Sequence, residues 1–359
     1  RSSRNRVFSL LMRGAYPARA RPSHRHVWAG ARYGACVSSN AAPARSNYAA
    51  LGYVMVLASG LLAAANGVFA SLVIHDGVAA TALAATRIYG ATAILIWLFL
   101  PHVRKLRRAH LLPLALFGVV GLVLGQGSYF QAISHADVAL VLVIIFTAPL
   151  VVAVYERIHL KAHLPPYAWG AIVVAVGGVA LAIVGEGGMP AISLTGFVFA
   201  LIAMAAYALS VILAARLPTE YPPLARTGAC MVFATIVWLF VVPPWTLPFD
   251  KLGDTTTFDG RFGFSLPLWV AVLFVVLIGS VGVYVTWVGG TALVGAGASS
   301  MVGMVEPVAG AVLAWGLLGQ HLAPTQAIGV AIAVAGIIVV ERARVRASRA
   351  TEFDSLNEF

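Results

Sequence analysis

Residues Phe146–Ile183 read FTAPLVVAVYERIHLKAHLPPYAWGAIVVAVGGVALAI, and residues Met304–Val340 read MVEPVAGAVLAWGLLGQHLAPTQAIGVAIAVAGIIVV. Pro149, His163 and Pro166 of the first stretch fall on Pro307, His321 and Pro324 of the second at a constant offset of 158. A one-residue slip then places Gly170 and Gly177 on Gly329 and Gly336. Matching Pro and His positions separate this similarity from the general likeness of Leu/Val/Ala/Gly-rich helices, so the chain contains an internal repeat.

Working outward, apolar runs of roughly 17–27 residues fill the chain from Tyr48, the length a helix needs to cross about 30 Å of hydrocarbon. Ten are read: Tyr48–Ile74, Val78–Leu100, Leu111–Ile133, Val138–Val154, Tyr167–Val184, Ser193–Ala215, Leu224–Trp245, Leu266–Gly289, Ala298–Leu318 and Thr325–Val340. Composition agrees: 60% of the 359 residues are apolar, 10% are charged, and mean hydropathy is +0.89. So few charges cannot cover a water-facing exterior. The runs are apolar all round rather than alternating, which excludes a membrane β-barrel. The expected fold is an all-α integral membrane protein of ten spans in two five-helix repeats, residues 48–190 and 191–342.

Residues 1–47 form a separate basic segment with nine arginines and no acid, too poor in apolar residues to fold alone. It reads as a solvated cytoplasmic tail, or as translation from upstream of the natural start, in preference to a targeting peptide. Residues 343–359 read as a cytoplasmic C-terminal tail. With both ends inside, the inner loops and C-terminal end after the first tail carry Arg104, Lys105, Arg107, Arg108, Arg157, Lys161, Arg216, Arg226, Arg342, Arg344, Arg346 and Arg349, against Lys251 and Arg261 outside. This is the positive-inside pattern. The net charge of +11 therefore writes topology rather than nucleic-acid binding. Five spans per half is an odd number, so the halves face opposite ways. The loop before Pro166 is basic, and the one before Pro324 contains no Lys or Arg. Inverted repeats of this kind are the architecture of secondary transporters, which rock one half against the other around a site near the midplane.

The runs Ser128-Tyr129-Phe130-Gln131-Ala132-Ile133, Ala136-Asp137-Val138-Ala139 and Thr147-Ala148-Pro149 resemble the first half of an EamA-type member of the drug/metabolite transporter superfamily. Glu306-Pro307, Ala314-Trp315-Gly316-Leu317-Leu318-Gly319 and Ile328-Gly329 through Ala335-Gly336 resemble its second half. The resemblance covers about Ala50 to Arg342. It departs at Gln320, where the family usually has Glu, and at Ala65-Asn66-Gly67, where Trp-Gly-Ser-Asn is frequent. It implies ten helices, peripheral fifth and tenth helices, and efflux or exchange of small organic solutes.

Two charges lie well inside the expected spans, Arg87 and Glu306, each some 12–14 Å deep at about 1.5 Å per residue. A charge there costs at least about 2.5–3.5 kcal/mol and faces a cavity or a partner. As functional groups, Arg87 would attract an anionic substrate group, and Glu306 a cationic group or a coupling proton. As structural groups they would form a buried ion pair or bond to freed backbone. Asn66, Gln126, Tyr129, Thr147, Tyr207, Tyr284 and Trp287 complete the candidates, because a solute site needs a few polar groups on an aromatic wall. The same residues can instead hold helices together. Pro149 and Pro307 mark paired helix breaks, a sequence pointer to a transport site. Gly118, Gly121, Gly125, Gly279 and Gly282 read as close helix packing.

The histidines fall in tails, loops or span ends, and HExxH, HxxxH within a span, DxxxD within a span and GxxxxGK[ST] are absent. Cys36 and Cys230 form no CxxC motif. No catalytic residue, metal or cofactor is expected. The expected partners are the bilayer of the cytoplasmic (inner) membrane, a small-molecule substrate such as an amino-acid-like or drug-like solute, and a proton or counter-solute. Nucleic acid is excluded, and both a monomer and a homodimer fit. Alternating-access export is the favoured reading. A passive channel, a nucleotide-sugar-type exchanger and a membrane-embedded transferase are the alternatives.

Overall fold

The computed structural model describes residues 46–159, 165–183, 192–214, 216–218, 220–261, 263–321 and 323–357. The N-terminal segment up to residue 45, Lys161, His163 and the expected boundary at residues 190 and 191 lie outside them. The elements in chain order are α1 (Ser46–His75), α2 (Ala80–Phe99), α3 (Arg108–Ile133), α4 in two segments (Val138–Ile145 and Ala148–His159), α5 (Pro166–Ile183), α6 (Leu194–Ala214), α7 (Pro223–Val241), strands β1 (Thr255–Thr257) and β2 (Ser265–Pro267), α8 (Leu268–Val294), α9 in two segments (Ala296–Gly303 and Val305–Leu318), and α10 (Pro324–Asn357). Among the described residues, nine helices, α1 to α9, are long and apolar enough to cross a membrane. In α10 the uncharged stretch ends at Val340, and the helix continues through Glu341 into the expected C-terminal tail.

Helices are the form lipid demands, since no water is present to satisfy an open backbone. Where the chain departs from them, a named cause is present. The seventh run stops at Val241 rather than Trp245 because Pro243 and Pro244 lack the N–H groups a helix needs. The eighth starts at Leu268 rather than Leu266, since Ser265–Pro267 pairs antiparallel with Thr255–Thr257.

The packing repeats with the sequence. α1 packs on α8 and α9, and α6, its counterpart in the second half, packs on α3 and α4. α2 meets its own counterpart α7, and α5 meets α10. Both α3 and α8 contain a π-helical stretch, Gly118–Gly125 and Leu277–Gly282. α4 breaks at Phe146 and Thr147, and α9 breaks at Met304, the residue 158 beyond Phe146. α4 is the innermost helix, 67% of its span being buried against 22% for α5. Every residue from Val138 to Phe146 is buried.

The α5–α10 contact corrects the register. Gly170 and Gly177 face open space, so the one-residue slip is not the structural alignment. Keeping the offset at 158 pairs Ala171 with Gly329, Ala175 with Ala333 and Gly178 with Gly336, and these residues form the interface. A methyl on Gly178 would strike Gly329 and Ala333, and one on Gly336 would strike Ala171 and Ala175. Each contact thus has its mirror in the other half, as across an isologous interface.

Loop contacts define two ends. At one, Lys251 Nζ donates to Gly77 O (2.7 Å), Ser193 Oγ to His135 O (3.3 Å), and Gly260 N to Leu317 O (2.9 Å). At the other, Tyr221 Oη donates to Lys105 O (3.1 Å) and bonds His110 Nδ1 (2.6 Å), while Ser300 Oγ donates to Glu341 Oε1 (2.5 Å). This second end also carries Arg104, Arg107, Arg108, Arg157, Arg216, Arg226, Arg342, Arg344 and Arg346, and the first carries Lys251 and Arg261.

The tight α5–α10 seam predicts a contrast. Gly329→Val forces side-chain atoms into the α5 backbone and should cost about 1–3 kcal/mol, lowering the melting temperature and monodisperse yield in detergent. Gly170→Val and Gly177→Val, which meet nothing, should leave both unchanged.

Candidate functional site

Arg87 is buried in α2, and acceptors from two other helices surround its guanidinium. Nε donates to Ser280 Oγ (2.6 Å), Nη1 to Gln126 Oε1 (2.5 Å), and Nη2 to Gly279 O (3.2 Å). The Phe130 ring lies 5.6 Å from the guanidinium carbon, within cation–π distance. Ser280 and Gly279 belong to the π-helical stretch of α8, where Ser280 Oγ also donates to Val275 O, five residues back (2.9 Å). Widening the helix there disrupts the usual ladder, and the Gly279 carbonyl accepts from Arg87. Such π turns recur at functional sites. Gln126 follows the corresponding π stretch of α3.

Asn66 and Tyr129 close in from α1 and α3. A Cβ on Gly279 would collide with the Asn66 carboxamide, and one on Gly67 with the Tyr129 hydroxyl. Gly279 therefore serves both the close packing of α8 on α1 and the anchoring of Arg87. Among the described residues, Asn66 Oδ1 and Tyr129 Oη are buried without a hydrogen-bond partner. Buried polar atoms normally have one, so each such atom calls for an explanation.

Glu306, in the first turn of the second α9 segment beside the buried Pro307, is partly buried. It lies within electrostatic reach of Arg87, Tyr129 and Tyr207, and Tyr284 lies within reach of Arg87. Among the described residues ion pairs join His110 to Glu220 and Arg344 to Glu341, and none joins Arg87 to Glu306. The ion pair expected as one structural alternative for Arg87 is not formed, and its guanidinium is held by two side-chain acceptors and one backbone carbonyl.

Asn66, Arg87, Gln126 and Tyr129 are thus brought together, with Glu306 and Tyr284 around them. Tyr207 is half exposed, with its ring 6.4 Å from that of Phe146. Thr147 donates to Ile144 O (2.7 Å) at the break in α4, and Trp287 covers Gly303 of α9, so neither joins the Arg87 cluster. Pro149 and Pro307 are both buried just beyond their helix breaks. Two participants were not singled out in the sequence. Ser280 is one small hydroxyl in an apolar helix. Trp238 of α7 lies over Gly127 beside Gln126, and its buried Nε1 has no hydrogen-bond partner among the described residues. Among the described residues, no group of three or more His, Cys, Asp or Glu could hold a metal ion.

Two stretches, residues 50–184 and 194–342, match the EamA-like transporter family. The chain belongs to that family. It is therefore a multi-pass membrane protein of a family that transports small solutes. No curated protein matches it. A solved structure, titled only as the crystal structure of a protein, is similar with a TM-score of 0.51 over 84% of this chain and 99% of that one, at 19% identity. At that identity the likeness speaks to the fold alone. α5 packs chiefly on α10, and the polar cluster is built from α1, α2, α3 and α8 with Glu306 of α9 within electrostatic reach.

Removing the guanidinium leaves acceptors on two helices without donors. Each hydrogen bond to a charged group is worth about 1.5–3 kcal/mol. Arg87→Leu should therefore lower the melting temperature in detergent by several degrees, and Arg87→Lys should recover only part of the loss. Equal melting of Arg87→Leu and the parent would show that the network contributes nothing to stability.

Proposed function

We propose that this protein is a secondary active transporter, rather than an enzyme, that exports a small organic metabolite across the cytoplasmic membrane by alternating access. Its two five-helix halves span the membrane ten times in opposite senses, α10 supplying the tenth crossing, and both termini are cytoplasmic. One observation carries the reading: the two charges at bilayer depth come from different halves, Arg87 from the first and Glu306 from the second, each beside a departure from regular helix. Relative movement of the halves changes the distance between these charges, and a substrate bound between them links that movement to its own passage.

Arg87 is already held by three acceptors but retains further N–H groups on Nη1 and Nη2, which suit an anionic substrate group. Glu306 suits a cationic group or a coupling proton. Asn66 and Tyr129 supply unpartnered polar atoms, and Tyr284 an aromatic surface. The concentration of arginines at the Tyr221 end supports placing that end in the cytoplasm. A nucleotide-sugar substrate is less well served, because only Arg87 is basic at depth.

An untargeted screen of the medium during overexpression should reveal an accumulating metabolite. That metabolite should show saturable flux and counterflow in proteoliposomes. Single-channel currents without counterflow would replace the transporter by a channel. Glu306→Gln should reduce the flux by about 10–100-fold, the equivalent of one charged interaction, with folded yield similar to the parent. Normal flux would remove Glu306 from the mechanism.

A further inference from the structure

The connection between α7 and α8 is more than a linker. Its two strands pair Thr255 with Pro267, Thr256 with Leu266 and Thr257 with Ser265, and the Phe258 N–H donates to Phe264 O (2.9 Å). Phe258 follows β1 and points into the bundle, where it is completely buried. Its ring stacks on Phe264 (4.5 Å) and meets Phe69 of α1 edge-on (5.1 Å). Phe69 in turn stacks on Phe274 of α8 (4.0 Å). Phe69 lies about 4.5 Å further along α1 than Asn66, and Phe274 about 7.5 Å before Gly279 along α8, at about 1.5 Å per residue. Both displacements are toward the end where the hairpin sits. The aromatic group therefore lies between that end and the Arg87 cluster.

The connection is fastened to two further elements. Thr256 Oγ1 donates to Asp76 Oδ2 and Lys251 Nζ to Gly77 O, both at the α1–α2 turn. Gly260 N donates to Leu317 O at the end of α9, and no side chain fits at 260, because a Cβ there would strike the Gly316 and Leu317 backbone. The Arg261 guanidinium lies over the Trp315 ring at 4.6 Å.

We propose that this hairpin is a gate of the transport cycle: a strap that ties α1, α8 and α9 together at one end and closes the path to the Arg87 cluster with Phe258. The inference rests on the alternating-access reading, in which this end must open once per cycle. Opening then requires Phe258 to leave Phe69 and the Gly260–Leu317 contact to part.

The test reads access rather than flux. Cys36→Ser and Asn66→Cys are combined, leaving the buried Cys230 as background, and a membrane-impermeant methanethiosulfonate is applied to vesicles of both orientations. Phe258→Ala and Gly260→Ala should each raise the modification rate at residue 66 about fivefold or more from the hairpin's face, as expected when a closed state is depopulated. The rate from the opposite face should not rise. Lys251→Ala with Thr256→Val, which loosens the strap outside the helical bundle, should give the same one-sided rise and decides the matter if Phe258→Ala does not fold. Unchanged rates in the folded variants, or equal rises from both faces, would overturn the proposal. A strap-dependent rate without saturable flux of any solute would instead sink the transport reading, and saturable flux with a strap-independent rate would sink the gate alone.

Discussion

A guanidinium inside hydrocarbon has to be surrounded by acceptors, and the chain can bring them to Arg87 only by gathering several helices. α3 offers Gln126. α8 offers a hydroxyl and a main-chain carbonyl, and its π turn brings both to the same side chain. Once α8 is drawn toward Arg87, the Asn66 side chain of α1 lies where any residue larger than glycine at 279 would place its Cβ. The network, the widened helix and the glycine thus answer a single demand, the intolerance of lipid for an unsolvated charge.

The features legible in the sequence are those for which lipid leaves no alternative. Runs of sufficient length had to be helices, and Arg87 and Glu306 stood out because charged residues at depth are rare. Burial was not legible. Val138–Phe146, the most enclosed segment, is as apolar as Val173 and Val174 on the exposed face of α5, because a membrane helix meets lipid and protein interior with the same side chains. Ser280 and Trp238 escaped for a related reason: one hydroxyl or indole in an apolar helix usually serves packing or the interface. Thr147, by contrast, was noticed as a polar group, yet its hydroxyl satisfies its own broken turn.

Register was misread because glycine identity was weighed above the face it occupies. Gly170 and Gly177 match Gly329 and Gly336 by letter, but a helix of 3.6 residues per turn carries adjacent positions to different faces. The residues that touch are Ala171 and Gly178, one position on. The α7–α8 connection was similarly opaque. Three-residue strands of Thr-Thr-Thr and Ser-Leu-Pro have too little pattern to show a hairpin, and Phe258 looks like any exposed loop aromatic until its neighbours are known.

The α5–α10 seam has a wider meaning. Its contacts exchange roles when the halves are exchanged: Gly178 lies against Gly329 as Gly336 lies against Ala171. A surface of that kind is nearly complementary to a copy of itself, and the exact match is broken where Ala171 stands opposite Gly329 in the repeat, since a Cβ at 329 would strike Ala182 and Gly178. Carrying both halves on one chain fixes their ratio at one to one, and away from the seam the halves differ: the first holds Arg87 and the second Glu306.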